Sequence, residues 1–320
     1  MMSDLGKQNR EISIKPISIK IGTKNKHRTV KQKNTLSLLL FVLPAFIFYF
    51  VFLLIPTIGA GFYSFTDWNA LSQTFHFVGF SNYMEAFKED VDFRHSFFFT
   101  LKYTAFMFVF QNVIALLLAL FIETRIRTKG FFRTIFFLPN MLSLIISALM
   151  FSFIFTNVLP ELSKKAMLAF LDQPWIGDAD VSFYSILIVS LWHGIGYMMV
   201  IYMAALQGVP KHLKEAALID GANPFQRLIH VTLPMIMHAV TICAFLTLNG
   251  AFKVFDVVYA LTSGGPGRST QVMALNIYEE AFSNNFRYGY ANAKAMILFL
   301  IVLVITLIQT RLLKKKEVEA

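Results

Sequence analysis

Five stretches of this 320-residue chain, Asn34 to Thr66, Tyr103 to Ile122, Thr134 to Pro160, Val181 to Pro210 and Val231 to Phe252, contain no Asp, Glu, Lys or Arg. Each reaches or exceeds the roughly 18 apolar residues that mark a helix able to cross a bilayer. A sixth stretch, Ala291 to Thr310, is interrupted only by Lys294 near one end, where a long stem is expected to snorkel to the interface. Backbone polar groups in hydrocarbon must be satisfied within the segment, so runs of this length are expected to be helices. The fold class that follows is all-α: a polytopic membrane protein with six transmembrane helices. Composition agrees, with 56% hydrophobic residues, 15% charged residues and a mean hydropathy of +0.58.

The charges that remain give the chain a direction. Basic residues are retained on the cytoplasmic side. Segments 1–33, 123–133, 211–230 and 311–320 together carry 20 Lys and Arg, whereas 67–96, 161–180 and 262–290 carry 6. An even number of spans puts both termini on one side, and this asymmetry makes that side the cytoplasm. The expected organisation is a basic cytoplasmic tail over 1–35, a six-span domain over 36–312 and a cytoplasmic C-terminal tail over 313–320. The first apolar run is too long for a signal-peptide core and reads as a retained anchor, and its basic tail is expected to be attracted to membrane lipid. The net charge of +10 follows this topology, so no nucleic-acid partner is expected. The single Cys243 lies in an apolar run and offers neither a disulfide nor a metal cluster, and no cofactor is expected.

Gly208 to Pro234 is the longest cytoplasmic stretch between spans, and its punctuation is informative. Lys211 to Asp220 is rich in helix formers. Gly221 stands where a helix end calls for a left-handed residue, and Asn223-Pro224 supplies an N-cap followed by a first-turn proline. Two short helices meeting at a bend are expected, with a small-residue Glu-Ala-Ala surface that another protein can approach closely. The alternative is an amphipathic connector lying on the headgroups.

The spacing Glu215-Ala216-Ala217, three residues, Gly221, nine residues, Val231, one residue, Leu233-Pro234 resembles the EAA loop of binding-protein-dependent ABC importer permeases, with Val in place of Ile as its one departure. Two further segments, Phe255 to Thr270 and Tyr63 to Trp68, are similar to carbohydrate-uptake permeases related to the maltose and glycerol-phosphate importers. The resemblance implies an ABC type I importer permease fold in a bacterial inner membrane. Its loop over 208–234 would couple to an ABC ATPase dimer in the cytoplasm through Glu215, Ala216, Ala217, Gly221, Leu233 and Pro234. It also implies a second permease subunit, an extracytoplasmic solute-binding protein and a sugar substrate, an oligosaccharide or glycoside, with no enzymatic activity in this chain. Gly264 to Thr270 looks superficially like a phosphate loop, but Thr262 and Arg268 stand where such a loop requires Gly and Lys.

Polar residues inside spans are the default candidates for a solute route. They are Gln111 and Asn112 in the second span, Trp192, His193 and Tyr197 in the fourth, and Asn249, Lys253, Asp256 and Tyr259 at the fifth. Aromatic faces with amides and carboxylates suit a sugar. Each also has a plain structural reading, such as interior packing for Trp192 and Tyr197 or a helical i, i+3 ion pair for Lys253 with Asp256. Two other classes compete. An ion-coupled secondary transporter would use Lys253 and Asp256 as a proton relay, but no internal repeat is visible. A membrane enzyme would need a cluster of catalytic groups, and the seven His are scattered.

Overall fold

The computed structural model describes residues 40–69, 74–125, 128–166, 168–283 and 286–315. The tail over 1–35 and the end of the C-terminal tail, 316–320, lie outside the described residues. Contacts divide the chain into two units, 1–57 and 58–320. The described part of the first unit is helical, and its side chains are nearly all exposed.

Among the described residues the chain is helical apart from one isolated antiparallel bridge between Thr66 and Phe77. The helices are α1 (Leu40–Tyr63), α2 (Ser81–Lys88), α3 (Val91–Arg125), α4 (Lys129–Phe137), α5 (Leu144–Lys165), α6 (Ala179–Gln207), α7 (Lys211–Ile219), α8 (Pro224–Met235), α9 (Met237–Phe252), α10 (Asp256–Leu261), α11 (Met273–Tyr278) and α12 (Tyr288–Lys314). Five of them, α1, α3, α5, α6 and α12, are long and apolar enough to cross a membrane alone. A sixth crossing is reached when α8 and α9 are taken as one span, and these meet at a 75° bend.

That bend corrects the expectation of a straight fifth helix over Val231 to Phe252. Pro234 has no N–H to give and its ring crowds the preceding turn. The chain widens into a π-turn over Leu228–Thr232 and then breaks at Ile236 (φ −99°, ψ 13°), whose side chain is fully buried. Proline reshapes the third run as well. The expected span Thr134 to Pro160 is divided by a 3₁₀ turn, Leu138–Met141, containing Pro139, and the crossing helix α5 starts only at Leu144. At its other end α5 continues past Pro160, because a π-turn over Ile154–Val158 absorbs the missing donor.

In the second unit α3 packs along α6, and α9 packs against both α3 and α12. The contacts form two apolar clusters on α3. One uses Phe99, Tyr103 and Met107 with α5, α6 and α10; the other uses Ala115, Ala119 and Ile122 with α6 and α9. Small residues let these helices approach closely. The closest approach is that of α6 to α4: a Cβ on Gly196 would lie 1.8 Å from the Phe136 carbonyl oxygen. The outward apolar side chains, among them Val109, Leu117, Leu149, Leu300 and Leu307, are exposed, as a bilayer solvates them.

At the end of α12 the structure overturns a second expectation. Lys294 does not snorkel outward; it is 1% exposed. Its Nζ lies 2.7 Å from Asp90 and 2.9 Å from Glu280, and donates to Asn276 Oδ1 at 2.9 Å, with the Tyr290 ring centroid 4.3 Å away. Arg287 adds a two-pronged bond to Glu85 at 2.8 and 2.7 Å, and Arg268 pairs with Asp92. Ionic partners thus tie α2 and the start of α3 to the loop between α10 and α11, to the segment before α12 and to the first turns of α12 itself. A charge at this depth is tolerated because carboxylates replace its water.

Burial pushes the Asp90 carboxyl up, yet the Lys294 ammonium, the Phe93 amide and the Tyr290 hydroxyl together hold it below its ordinary value of 3.8. A depressed carboxylate stabilises the fold fully above that ordinary value, and the contribution is lost as pH falls through the lower folded value. Acid below about pH 4 is therefore expected to loosen this end of the bundle first. Lys294→Ala is expected to lower stability by about 3 kcal/mol, because Asp90 and Glu280 lose their ammonium partner. Thermal unfolding in detergent at neutral pH measures this, and a wild-type transition would contradict it.

Candidate functional site

Two regions carry the candidate residues, one on the segment expected in the cytoplasm and one within the bundle. In the first, α7 ends in a Schellman turn: the Ala222 amide donates to Ala217 O at 2.9 Å and the Gly221 amide to Leu218 O at 3.1 Å. The turn requires the positive φ of Gly221, +78°, and open space surrounds its missing Cβ. Asn223 then caps α8 in a reciprocal box with Gln226, both bonds 2.9 Å, with Pro224 in the first turn. The two-helix bend read from the sequence is present.

Glu215, Ala216 and Gly221 are exposed, and Ala217 is half-buried. The sequence reading missed the apolar rim beside them. Ile219 is 86% exposed, and Leu218 and Phe225 are also open, an arrangement hinted at only by the charge-free Ala-Ala-Leu-Ile before Asp220. Leu233 and Pro234 do not share that surface. They sit half-buried at the bend before Ile236, where Leu233 packs on the Ala115–Ile122 cluster. Beneath the segment, Glu123 at the end of α3 accepts from Lys129 at 2.7 Å and from Gln207 at 3.3 Å, so three helix ends are fastened together.

The second region is a cavity of about 360 Å³ in the gap on α3 between its two apolar clusters. Gln111, His193, Tyr197, Lys253 and Asp256 line it, joined by Asn140, Ser190 and Thr247, which the sequence reading did not select. Gln111 is 6% exposed, and its amide has no hydrogen-bond partner among the described residues. It lines the cavity, where a solute hydroxyl can bond to it. Gly194 makes room: a Cβ there would lie 2.6 Å from Gln111 Nε2. His193 donates from Nε2 to the Leu142 carbonyl at 3.1 Å.

The other intramembrane candidates lie elsewhere. Asn112 donates to Phe108 O at 2.8 Å and to Thr247 at 3.1 Å, and accepts from the Tyr202 hydroxyl at 2.9 Å, which makes it a joint between α3, α6 and α9. Trp192 packs edge-on against Phe151. Asn249 turns away into a separate groove between α9 and α12, where it donates to Phe245 O at 3.0 Å. Tyr259 stacks on Phe255 beyond the cavity lining. Lys253 and Asp256 form no ion pair with each other among the described residues, because α9 ends at Phe252 and α10 starts at Asp256, so no helical i, i+3 geometry exists. Both stand at the cavity mouth as exposed charges. No group of three His, Cys, Asp or Glu among the described residues is arranged to hold a metal ion.

Five helices long and apolar enough to cross a membrane, six crossings if the bent pair is one span, accompany a two-helix surface segment and a polar cavity, and the comparisons assign these features to a transport family. The family profile described as binding-protein-dependent transport system inner membrane component matches residues 111–318. The chain belongs to that family. It is 39% identical over 287 residues to the probable starch degradation products transport system permease protein AmyD of Thermoanaerobacterium thermosulfurigenes, covering 90% of this chain and 97% of that one. It is 35% identical to the multiple sugar-binding transport system permease protein MsmF of Streptococcus mutans, covering 87% and 95%, respectively. The fold is similar, with a TM-score of 0.76 at 22% identity, to a chain of a bacterial ABC transporter involved in the import of alginate, covering 91% of this chain and 99% of that one.

Two glycines two residues apart on α6 separate the roles of cavity and scaffold. Gly194→Ala meets only the end of a flexible side chain, so the protein is expected to assemble normally with Gln111 displaced and the KM for uptake raised about fivefold, the loss of one hydrogen bond. Gly196→Ala meets backbone and is expected to prevent stable assembly. Expression yield, thermal stability and uptake of the two variants measure the contrast, and equal behaviour would contradict it.

Proposed function

We propose that this chain is the sugar-conducting permease subunit of an ATP-driven importer, pairing with a second permease and a cytoplasmic ABC ATPase dimer and receiving its solute from an extracytoplasmic binding protein. The observation that carries the reading is the exposed Glu215-Ala216 surface, closed by the Gly221 turn and rimmed by Leu218, Ile219 and Phe225. Small side chains flanked by large apolar ones favour close seating of a partner protein over contact with water. Both termini lie in the cytoplasm in this reading, with the basic tail against membrane lipid. The chain supplies no chemistry of its own and needs no cofactor.

Force applied at α7 has a short route to the cavity. The capped Asn223 turn makes α7 and α8 one unit, Leu233 and Pro234 carry the bend into α9, and α9 brings Thr247 and the Lys253–Asp256 turn to the cavity wall. A tilt of α8 therefore changes the wall opposite Gln111 and Tyr197. The carbohydrate assignment is supported by relatives named for starch products and multiple sugars, and by a cavity that offers an amide, hydroxyls, a carboxylate and an aromatic ring. Asn112, Trp192 and Asn249 serve the bundle in this account.

Gly221→Val puts a β-branched residue at φ +78°, at a cost of order 1–2 kcal/mol, and Glu215→Lys reverses the charge at the contact. Both variants are expected to insert normally, yet to lose co-purification of the ATPase in detergent and the ATP hydrolysis stimulated by loaded binding protein. If both keep the ATPase and full stimulated hydrolysis, Gly208 to Pro234 is only a surface connector.

A further inference from the structure

A row of aromatic rings leaves the cavity mouth and runs along the segment that the charge distribution puts outside. Phe255, which lines the cavity, stacks on Tyr259 at 5.2 Å with the planes 13° apart. Tyr278 lies 5.4 Å from Phe255 and 6.0 Å from Tyr259; Phe282 is 5.6 Å further on, Tyr288 6.0 Å beyond it, and Trp68 5.1 Å beyond that. The row is open on one side, with Tyr259 45%, Tyr278 36% and Phe282 58% exposed. Tyr259 and Tyr278 are exposed, and neither hydroxyl bonds to another described residue, so both are open to a ligand.

We propose that this row is a binding track for an extended oligosaccharide, holding successive sugar units outside while the leading one enters the cavity. The inference rests on the carbohydrate reading above and adds to it a place on this chain where the sugar units behind the leading one are held. Pyranose rings present C–H faces to aromatic planes, and one ring every 5–6 Å is close to the length of one pyranose unit. The free phenol groups suit the hydroxyls along the sugar edge. Continuity with the cavity picks out this occupant. An interfacial belt of Tyr and Trp serving lipid would be spread around the bundle, whereas this row starts at Phe255 inside the cavity wall and crosses three separate segments.

The test uses the complete importer in proteoliposomes and compares uptake of disaccharide and hexasaccharide from the malto-, xylo- and fructo-oligosaccharide series. For the series that the wild type carries, Tyr278→Ala and Phe282→Ala are each expected to lower the hexasaccharide-to-disaccharide ratio of kcat/KM by about tenfold, and Tyr278→Trp to restore it. An unchanged ratio overturns the track. So does loss of the second permease on purification, which makes the row a subunit contact, or a fall in thermal stability shared by the Ala and Trp variants, which makes it a membrane anchor. A wild-type importer that carries no series while its ATPase remains stimulated by loaded binding protein overturns the carbohydrate reading, and the track with it.

Discussion

A bilayer offers no hydrogen bonds to a backbone, and that constraint determines nearly everything else in this protein. Every crossing segment has to satisfy its own amides, so each forms a helix, and each departure from regular helix has a residue that explains it. Pro139 accounts for the 3₁₀ break before α5, the π-turn at Ile154–Val158 accommodates Pro160, and Pro234 drives the bend at Ile236. The same constraint applies to polar side chains. Asn112 is fully used between three helices, and Lys294 is surrounded by Asp90, Glu280 and Asn276, so both strengthen the bundle. Gln111 has no such partner among the described residues, and it lines the cavity.

The proposed coupling needs no long chain of contacts between the two faces. α8 and α9 meet at a 75° bend and, taken as one span, join the surface segment to the cavity wall as a single lever. Glu123 holds the ends of α3, α4 and α6 together beneath that lever, and the ionic clasp around Lys294 holds the opposite end.

Local features were legible in the sequence, and relations between distant segments were not. The Gly221 turn and the Asn223 cap depend on neighbouring residues only, so reading them needed no fold. Span number followed from charge-free length, although Pro139 and Pro234 shifted or bent two of the spans. Lys294 looked like a snorkelling residue because its partners Asp90 and Glu280 belong to other elements, and nothing near position 294 announces them. Gln111 and Tyr197 line the cavity, whereas Asn249 lines a separate groove and Trp192 packs on Phe151, a distinction that is not legible in sequence because a membrane helix is apolar on every side and its periodicity does not say which side meets which pocket. The aromatic row escaped notice for a related reason: its members come from three segments and are brought together only by the packing of α10 and α11 against their neighbours.

The central claim is that the Glu215–Gly221 surface faces the cytoplasm while the clasp around Lys294 and the aromatic row face the outside. Cys243, the single native thiol, is fully buried, so introduced cysteines report with little background. Ile219→Cys and Lys88→Cys, both at exposed positions, can be treated in intact cells with a membrane-impermeant maleimide. The account predicts labelling at position 88 in intact cells and at position 219 only after the membrane is permeabilised. Labelling at 219 in intact cells, with 88 protected, would contradict it.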